Sequence, residues 1–529
     1  MIVSFILLCS LVWILFKVGA REKGLPPGPP TMPVLGNLHQ LPTRYTRIQF
    51  TSWAEQYGGI FSLKIAHGTT IVITSPRIIR EFMDKRSAST ADRPPFKLGE
   101  IIMDGLNVAL AGAGNTWKNM RRAMHMFLTR EACSRHLSIQ HAEGIQLMYD
   151  LLKQPEAVST HVQRQTISII LSTVFGIRTP RFQNSVASEF ADMEHILEEI
   201  FEPGAIPPVD LLPVLQYIPE IWAPWKRTCR ELRQKYQKIF SGLRDMCETR
   251  MKMNRRNGCF LEDVFNQQEK LGLTKPMIAA VGAACLEAGA VTTTSFFQTF
   301  ILCLVHHPHV QRKAQAVIDD IVGTDRLPTM DDFDQLPYLQ AVVHEVHRFF
   351  PPIPLGIPHR STTDETVEGY LIPKGSTIFM NYYGIYHDPK LFDRPESFYP
   401  ERYLLSEFGT KPGVDATGFR YDLHFGSGRR ICPGIHFAGN AIKMNVINLL
   451  WAFDFHTTDA SPRDEECPIR VDDFLPGIAT GPKPFSCVAR PRSEAHAELI
   501  RSEYTKARPI FSKFEQELSP EEAAFIESW

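Results

Sequence analysis

With 529 residues, 44% hydrophobic and 22% charged, the chain is long enough to bury a large core as one big domain or two medium ones. Lys and Arg number 57 against 58 Asp and Glu, a net charge of −1, so no basic field exists to hold a phosphate backbone, which argues against nucleic acid as a partner. Ten cysteines are scattered without a CxxC pair, a pattern of reduced thiols in a cytosol-facing protein rather than a disulfide framework.

Residues 1–20, MIVSFILLCSLVWILFKVGA, run apolar from Ile2 to Phe16, and positive charges follow at Lys17, Arg21 and Lys23. A cleaved signal peptide carries Lys or Arg ahead of the run and a small-residue cleavage site behind it. Neither is present, so the segment is expected to be a transmembrane signal-anchor whose trailing charges keep the remaining chain cytosolic, although the span is short for a bilayer. Residues 21–30 end in LPPGPP, which cannot be helical and reads as a stiff, extended, Pro-rich hinge.

The stretch GGIFSLKIAHGTTIVITSP alternates, is rich in β-branched residues and carries His67-Gly68 as a turn signal, so it is expected to be a hairpin. From about Pro76 to Phe350 the signals are mostly helical. Within that region, residues 201–222 are apolar but interrupted by five prolines; the segment is either a packed connector or a hydrophobic loop resting on a membrane. Strand character returns in EGYLIPKGSTIFMNYYGI around a Pro373-Lys374-Gly375 turn. A long apolar helix is expected from about Ile435 to Phe453, with short strands near 485–490. The expected fold is mainly α with small β-sheets: a body over 31–490 and a charged C-terminal tail over 491–529, an appendage whose Ser519, Pro520 and Glu522 cap a short helix.

Residues 423–438, LHFGSGRRICPGIHFA, set Cys432 among three glycines and two arginines. Gly426, Gly428 and Gly434 permit close approach and positive φ, so the stretch can fold as a tight loop whose amides point at one atom. A helix beginning after Gly434 adds its positive end, and such surroundings lower a thiol pKa. The resulting thiolate is a nucleophile or a metal ligand. His424 and His436 raise a Cys/His pair or zinc, but the paired spacing of structural zinc is missing. An iron with porphyrin equatorial ligands fits the loop better, with Arg430 placed for a propionate.

FGSGRRICPG resembles the haem-binding signature of the cytochrome P450 family, F-x-x-G-x-R-x-C-x-G, at Phe425, Gly428, Arg430, Cys432 and Gly434. The resemblance spans roughly residues 26–490. It implies the cytochrome P450 fold with an N-terminal anchor, haem b (iron protoporphyrin IX) as cofactor, and Cys432 as axial ligand of its iron. EVHR supplies Glu345 and Arg348 of the family's ExxR pair, and FYPERY supplies Arg402 of the same charge network. NTWKNMRR is similar to the family's W-x-x-x-R helix, so Trp117 and Arg121 are expected at a haem propionate, as are Arg93 in ADRPP and His359 in GIPHR.

The family's distal helix reads A/G-G-x-D/E-T-T, whereas this chain has EAGAVTTTS. Val291 stands where the acid would assist proton delivery; Thr292 and Thr293 remain, and the helix is expected to open beside Gly289. Glu287, one turn earlier, either substitutes for the acid through water or is a salt-bridge partner. The resemblance implies a substrate pocket lined by Met103, Leu106, Val108, Ala290, Val291, Ile353, Leu355, Phe474 and Leu475, largely apolar, with Asp104, Asn107, Asp472 and Asp473 among the exceptions.

The implied activity is monooxygenation: one atom of O2 inserted into a lipophilic small molecule, such as a terpenoid secondary metabolite, at the endoplasmic reticulum membrane. The chain carries no G-x-G-x-x-G run or flavin-type segment, so it has no flavin or NAD site of its own. Electrons are therefore expected from NADPH through a separate cytochrome P450 reductase, with cytochrome b5 as a second donor, docking on Lys118, Arg122 and Arg429. Two alternatives stay open: a haem-thiolate enzyme performing rearrangement, dehydration or peroxide-driven oxidation without a reductase, and a haem protein that binds or senses without turnover.

Overall fold

A computed structural model describes residues 18–202, 205–207, 209–210, 212–458 and 469–529. The expected anchor therefore lies, up to residue 17, outside the described residues.

The hairpin forms as β1 (Ile60–Ile65) and β2 (Gly68–Ile73), antiparallel with Ile60 opposite Ile73. Ala66 takes the positive φ at its turn. The short runs flanking Pro373-Lys374-Gly375 separate into different sheets. With β3 (His359–Arg360), β4 (Glu365–Val367), β5 (Tyr370–Ile372) and β6 (Thr377–Met380), the order of the larger sheet is β1-β2-β6-β3, and β4 pairs with β5 alone. Strand β6 joins β2 in parallel, a pairing across about 300 residues that no local turn signal encodes.

Helices supply the body. Those used below are α1 (Asn115–Leu128), α2 (Leu137–Lys153), α3 (Val186–Phe201), α4 (Trp225–Lys252), α5 (Lys275–His306), α6 (Pro337–Phe349), α7 (Ile435–Ala452) and α8 (Glu494–Ser512). Helix α5 is long and apolar enough to cross a membrane, but its most apolar window is 72% buried inside the protein, as befits a central core helix. One hydrophobic cluster contains Trp117, Ala290 and Phe437, so α1, α5 and the start of α7 converge. A short β7 (Phe453–His456) follows α7 and pairs with β8 (Val488–Pro491). Every described cysteine is a free thiol.

Two expectations are corrected. The Pro-rich segment is extended but is no free hinge. Proline residues bring carbonyls without amide donors, and these acceptors are taken up by the body: Pro27 O accepts from Ser62 N at 2.8 Å, Pro26 O from Arg21 and Ser62, and Pro29 O from Asn37. The C-terminal tail is likewise no appendage. Helix α8 buries Ile500, Ala507 and Phe511 in the main core. Tyr149 stacks on Tyr504 at 4.0 Å, Arg178 lies 3.8 Å over the Phe511 ring and pairs with Glu515, and the Trp529 indole donates to Asp150. Its charges masked an amphipathic helix whose apolar stripe covers α2.

Phe511 is fully buried. Phe511→Ala is expected to cost about 3–5 kcal/mol in urea denaturation; an unchanged midpoint would mean that the tail frays independently of the fold.

Candidate functional site

The Cys432 loop is built from reversals that demand glycine. Gly426 (φ +94°) and Gly428 (φ +57°) are left-handed, and a side chain at Gly428 would collide with Met83 O and Ser87. Gly434 departs from expectation: its φ is −87°, and a Cβ there would meet the Cys432 sulfur at an ordinary contact distance of 3.7 Å. The Cys432 amide donates to Phe425 O at 2.8 Å, and the Gly434 amide donates to Sγ at 3.3 Å.

Burial pushes the Cys432 thiol up, and the Gly434 amide with the Arg121 guanidinium only partly offsets it. The expectation of a protein-lowered pKa is thus not met. That matters chemically: a nucleophile needs its thiolate from the protein, whereas a metal ligand is deprotonated by the metal itself. His436 is exposed, and half-buried His424 stacks on buried His347 at 4.0 Å. Among the described residues no cluster with metal-ligand spacing includes Cys432, so zinc and a Cys/His pair lose their support.

Beside the loop lies a nest of cations. Arg430 donates from Nε to Ala91 O and from Nη2 to Ala111 O, both at 2.8 Å, and its Cζ sits 3.8 Å over the Trp117 ring. Arg93 donates to Ala109 O (2.8 Å), Ile357 O (2.8 Å) and Pro358 O (2.7 Å). Arg121 Nη2 donates to Ile431 O, and His359 Nδ1 lies 2.7 Å from Thr90 O. Burial, and then their neighbours' charge, pushes down the pKa of Arg93, His359 and Arg430, the last to about 10. Asp92 is the acid that acts on Arg93 and Arg430, and its Oδ1 is already taken by the Ala113 amide. Trp117 Nε1 and Arg121 Nε are buried without a hydrogen-bond partner. Positive charge and open donors therefore exceed what the surrounding protein balances.

On α6, Glu345 and Arg348 share a face three residues apart. Arg348 clasps Glu345 with two bonds, Nε to Oε2 at 2.8 Å and Nη2 to Oε1 at 2.9 Å, and reaches Tyr386 O, Pro395 O and Ser397 O. Arg402 Nε lies 3.1 Å from Glu345 Oε2 and its Nη1 donates to Asp393 O. All three side chains are at most 4% exposed.

Helix α5 widens to π geometry over Glu287–Val291, where Ala288 is exposed between buried turns of the helix. The Thr292 hydroxyl donates to Ala288 O at 2.6 Å. Thr293 is turned into the packed side and is buried. Glu287 has no ion pair among the described residues. Instead Asn107 Nδ2 donates to its Oε2 at 2.9 Å, Oε1 has no partner, and burial raises its pKa to about 8.

The family model described as Cytochrome P450 matches residues 26–487. The chain belongs to the cytochrome P450 family. A cytochrome P450 monooxygenase of Armillaria gallica is 45% identical over 97% of this chain and 98% of its own length, and one of Aspergillus terreus is 36% identical over 96% of each. Among solved structures, a zebra fish cytochrome P450 with abiraterone is 25% identical, covers 85% of this chain and 100% of its own, and superposes with a TM-score of 0.66. This cytochrome P450 is thus an oxidoreductase of a haem-binding family whose relatives are named as monooxygenases.

The cytochrome P450 body holds a cavity of about 160 Å³ lined by Phe96, Leu110, Phe201, Leu355, Gly477 and Ile478, with Arg47 and Arg93 at its edge. Of the nine residues expected to line a substrate pocket, Leu355 alone borders it. Phe474 is core, stacked on Phe350 at 3.5 Å, and Met103 and Val108 are buried. Asp104 pairs with Arg233 near the surface. Alternation of apolar residues cannot separate a cavity wall from a packed core. Sequence reasoning also missed Glu194, Glu198 and Tyr236, which act on Glu287 or on one another.

Glu345→Ala leaves two buried guanidiniums unpaired and is expected to cost about 3–5 kcal/mol by urea denaturation; a loss below about 1 kcal/mol, the scale of a surface pair, would show that the network is not structural.

Proposed function

We propose that this cytochrome P450 is a membrane-bound haem-thiolate monooxygenase that inserts one oxygen atom from O2 into a lipophilic small molecule, a secondary metabolite such as a terpenoid. Electrons come from NADPH through a separate cytochrome P450 reductase. The observation that carries the reading is the cation nest with unpartnered donors beside a thiol that the protein alone does not ionise. A dicarboxylate ring with a metal cation supplies both missing halves: anions for the nest and positive charge for the sulfur.

Cys432 would hold the haem iron through its sulfur, with Phe425, Gly428 and Gly434 shaping its loop. Trp117 Nε1, Arg121, Arg93, Arg430 and His359 would hold the propionates; an anion beside His359 raises its proton affinity and makes Nε2 a donor. Bound there, haem supplies the redox chemistry, in which O2 is reduced with two electrons and two protons and its second atom leaves as water. The chain's residues do the remaining work. Thr292, its proton committed to Ala288 O, keeps lone pairs free to accept a hydrogen bond from a group bound beside it. Glu287, held by Asn107, carries a proton at neutral pH one turn from the Val291 position and takes the role of the missing acid.

Val214, Tyr217, Ile221 and Trp222 are 70–85% exposed in the proline-interrupted loop. An apolar patch of this kind supports contact with the lipid to which the N-terminal segment would anchor the protein, the endoplasmic reticulum membrane. Lys118, Arg122 and Arg429 are exposed and would meet an acidic face of the reductase or of cytochrome b5.

Cys432→Ala is expected to abolish the haem-thiolate band in the carbon monoxide difference spectrum; an unchanged band rejects the ligand assignment. Glu287 loses its proton as pH rises through about 8, so the fraction of NADPH oxidation that yields product should fall above that pH. Glu287→Gln should remove this pH step, and a step of the same size in that variant rejects the acid role.

A further inference from the structure

Helix α3 carries Glu194, Glu198 and, at its C-terminal cap, Glu202 at intervals of four residues. Like charges at that spacing repel along one face, and a buried row of them persists only where something offsets the cost. Two of the three are accounted for. Glu202 accepts from the Thr46 amide at 3.0 Å and the Gly477 amide at 2.7 Å. Glu198 accepts from the Ala479 amide at 2.7 Å, tying the segment around Ala479 to α3.

Glu194 is different. It is 93% buried, with 7% exposure, and its Oε1 has no hydrogen-bond partner. Besides burial, the groups that act most on it are Glu287 and Glu198, two more acids. No ion pair reaches Glu194, Glu198 or Glu287 among the described residues. Glu287 Oε1 is equally without a partner, while its other oxygen is taken by Asn107. The Tyr236 phenol, from α4, is buried against both Glu194 and Glu287 and acts on Glu287 as a hydrogen-bond donor. Four elements, α3, α4, α5 and the loop bearing Asn107, thus bring two open carboxyl oxygens and a phenol together beside the widened stretch of α5. Burial, then the neighbouring acids Glu287 and Glu198, push the Glu194 pKa well up, as expected of a buried acid that nothing in the protein pairs.

Resting on the monooxygenase reading above, we propose that Glu194 and Glu287 form a polar docking point at one end of the substrate site, which receives a hydrogen-bond-donating head group, a hydroxyl or a protonated amine, on an otherwise apolar substrate. The substrate is then not plain hydrocarbon. Its head group is held by α3 and α5 while the apolar skeleton is oriented by shape, and a wrong skeleton without a donor leaves two buried acceptors open, the stronger form of discrimination.

The test uses the full-length holoprotein and three probes of one skeleton: adamantane, 1-adamantanol and 1-adamantylamine, with binding measured by equilibrium dialysis. The wild type should bind at least one of the two donor-bearing probes tenfold or more tightly than adamantane, and Glu194→Met should erase that preference. Glu194→Gln, which keeps hydrogen bonding but no charge, separates the sources: a preserved preference identifies the hydroxyl, a lost one the amine. Equal binding of the three, binding of none, or a preference that survives Glu194→Met overturns the proposal. Reductase-dependent oxygenation of adamantane without a donor preference overturns the docking point alone. A Glu194-dependent preference without any oxygenated product under NADPH and reductase overturns the monooxygenase reading alone.

Discussion

The buried triad of Glu345, Arg348 and Arg402 is the constraint on which the remaining architecture depends. One carboxylate accepts from two guanidiniums and from the Tyr399 amide at 2.7 Å, and the guanidiniums in turn satisfy the carbonyls of Tyr386, Asp393, Pro395 and Ser397. A long irregular stretch with little backbone pairing of its own is thereby given partners inside the protein, where unpaired carbonyls would be costly. That stretch leads into the Cys432 loop, so the position of the sulfur is set by charge pairing some 80 residues upstream.

A second theme is imbalance left on purpose. Around Cys432 the chain gathers guanidiniums and an imidazole with little acid to match them; around Glu194 it gathers acids that no ion pair reaches among the described residues. Neither arrangement makes sense as a device for stability, since each raises the free energy of the folded chain when nothing else is present. Both make sense as halves of interactions completed by something that binds. The opposite signs also keep the two regions from serving the same ligand group: carboxylates belong at one, hydrogen-bond donors at the other.

Legibility in the sequence followed the range of the interaction. The Cys432 loop, the ExxR pair and the β1–β2 hairpin are written in consecutive residues, with glycine and proline fixing the backbone, and their residues could be named from the letters. The parallel pairing of β2 with β6, the docking of LPPGPP along β1 and the seating of α8 on α2 depend on partners far away in the chain, which local pattern does not encode. Glu194 and Glu287 lie 93 positions apart, and a glutamate on a helix reads as a solvated face until the fold encloses it. Cavity walls are hard to read from letters for a related reason: Phe474 and Met103 are as apolar as a wall should be, and only the fold places them in packed clusters.

The π turn in α5 has a geometric consequence of its own. Such a turn is equivalent to one additional residue threaded into an α-helix, and each residue advances the helix by about 100°. Everything beyond Val291 is therefore phased as if the count had been shifted by one: Ser295 meets Thr480 O and Gln298 meets Ser159 only in that phase. A single-residue deletion between Ala288 and Val291 would let the helix close up as ordinary α with its downstream half still presenting the same core face, whereas the same deletion beyond Val291 would swing everything after it by about 100°. The widened turn is thus the place in this helix where length can change without turning the core face outward.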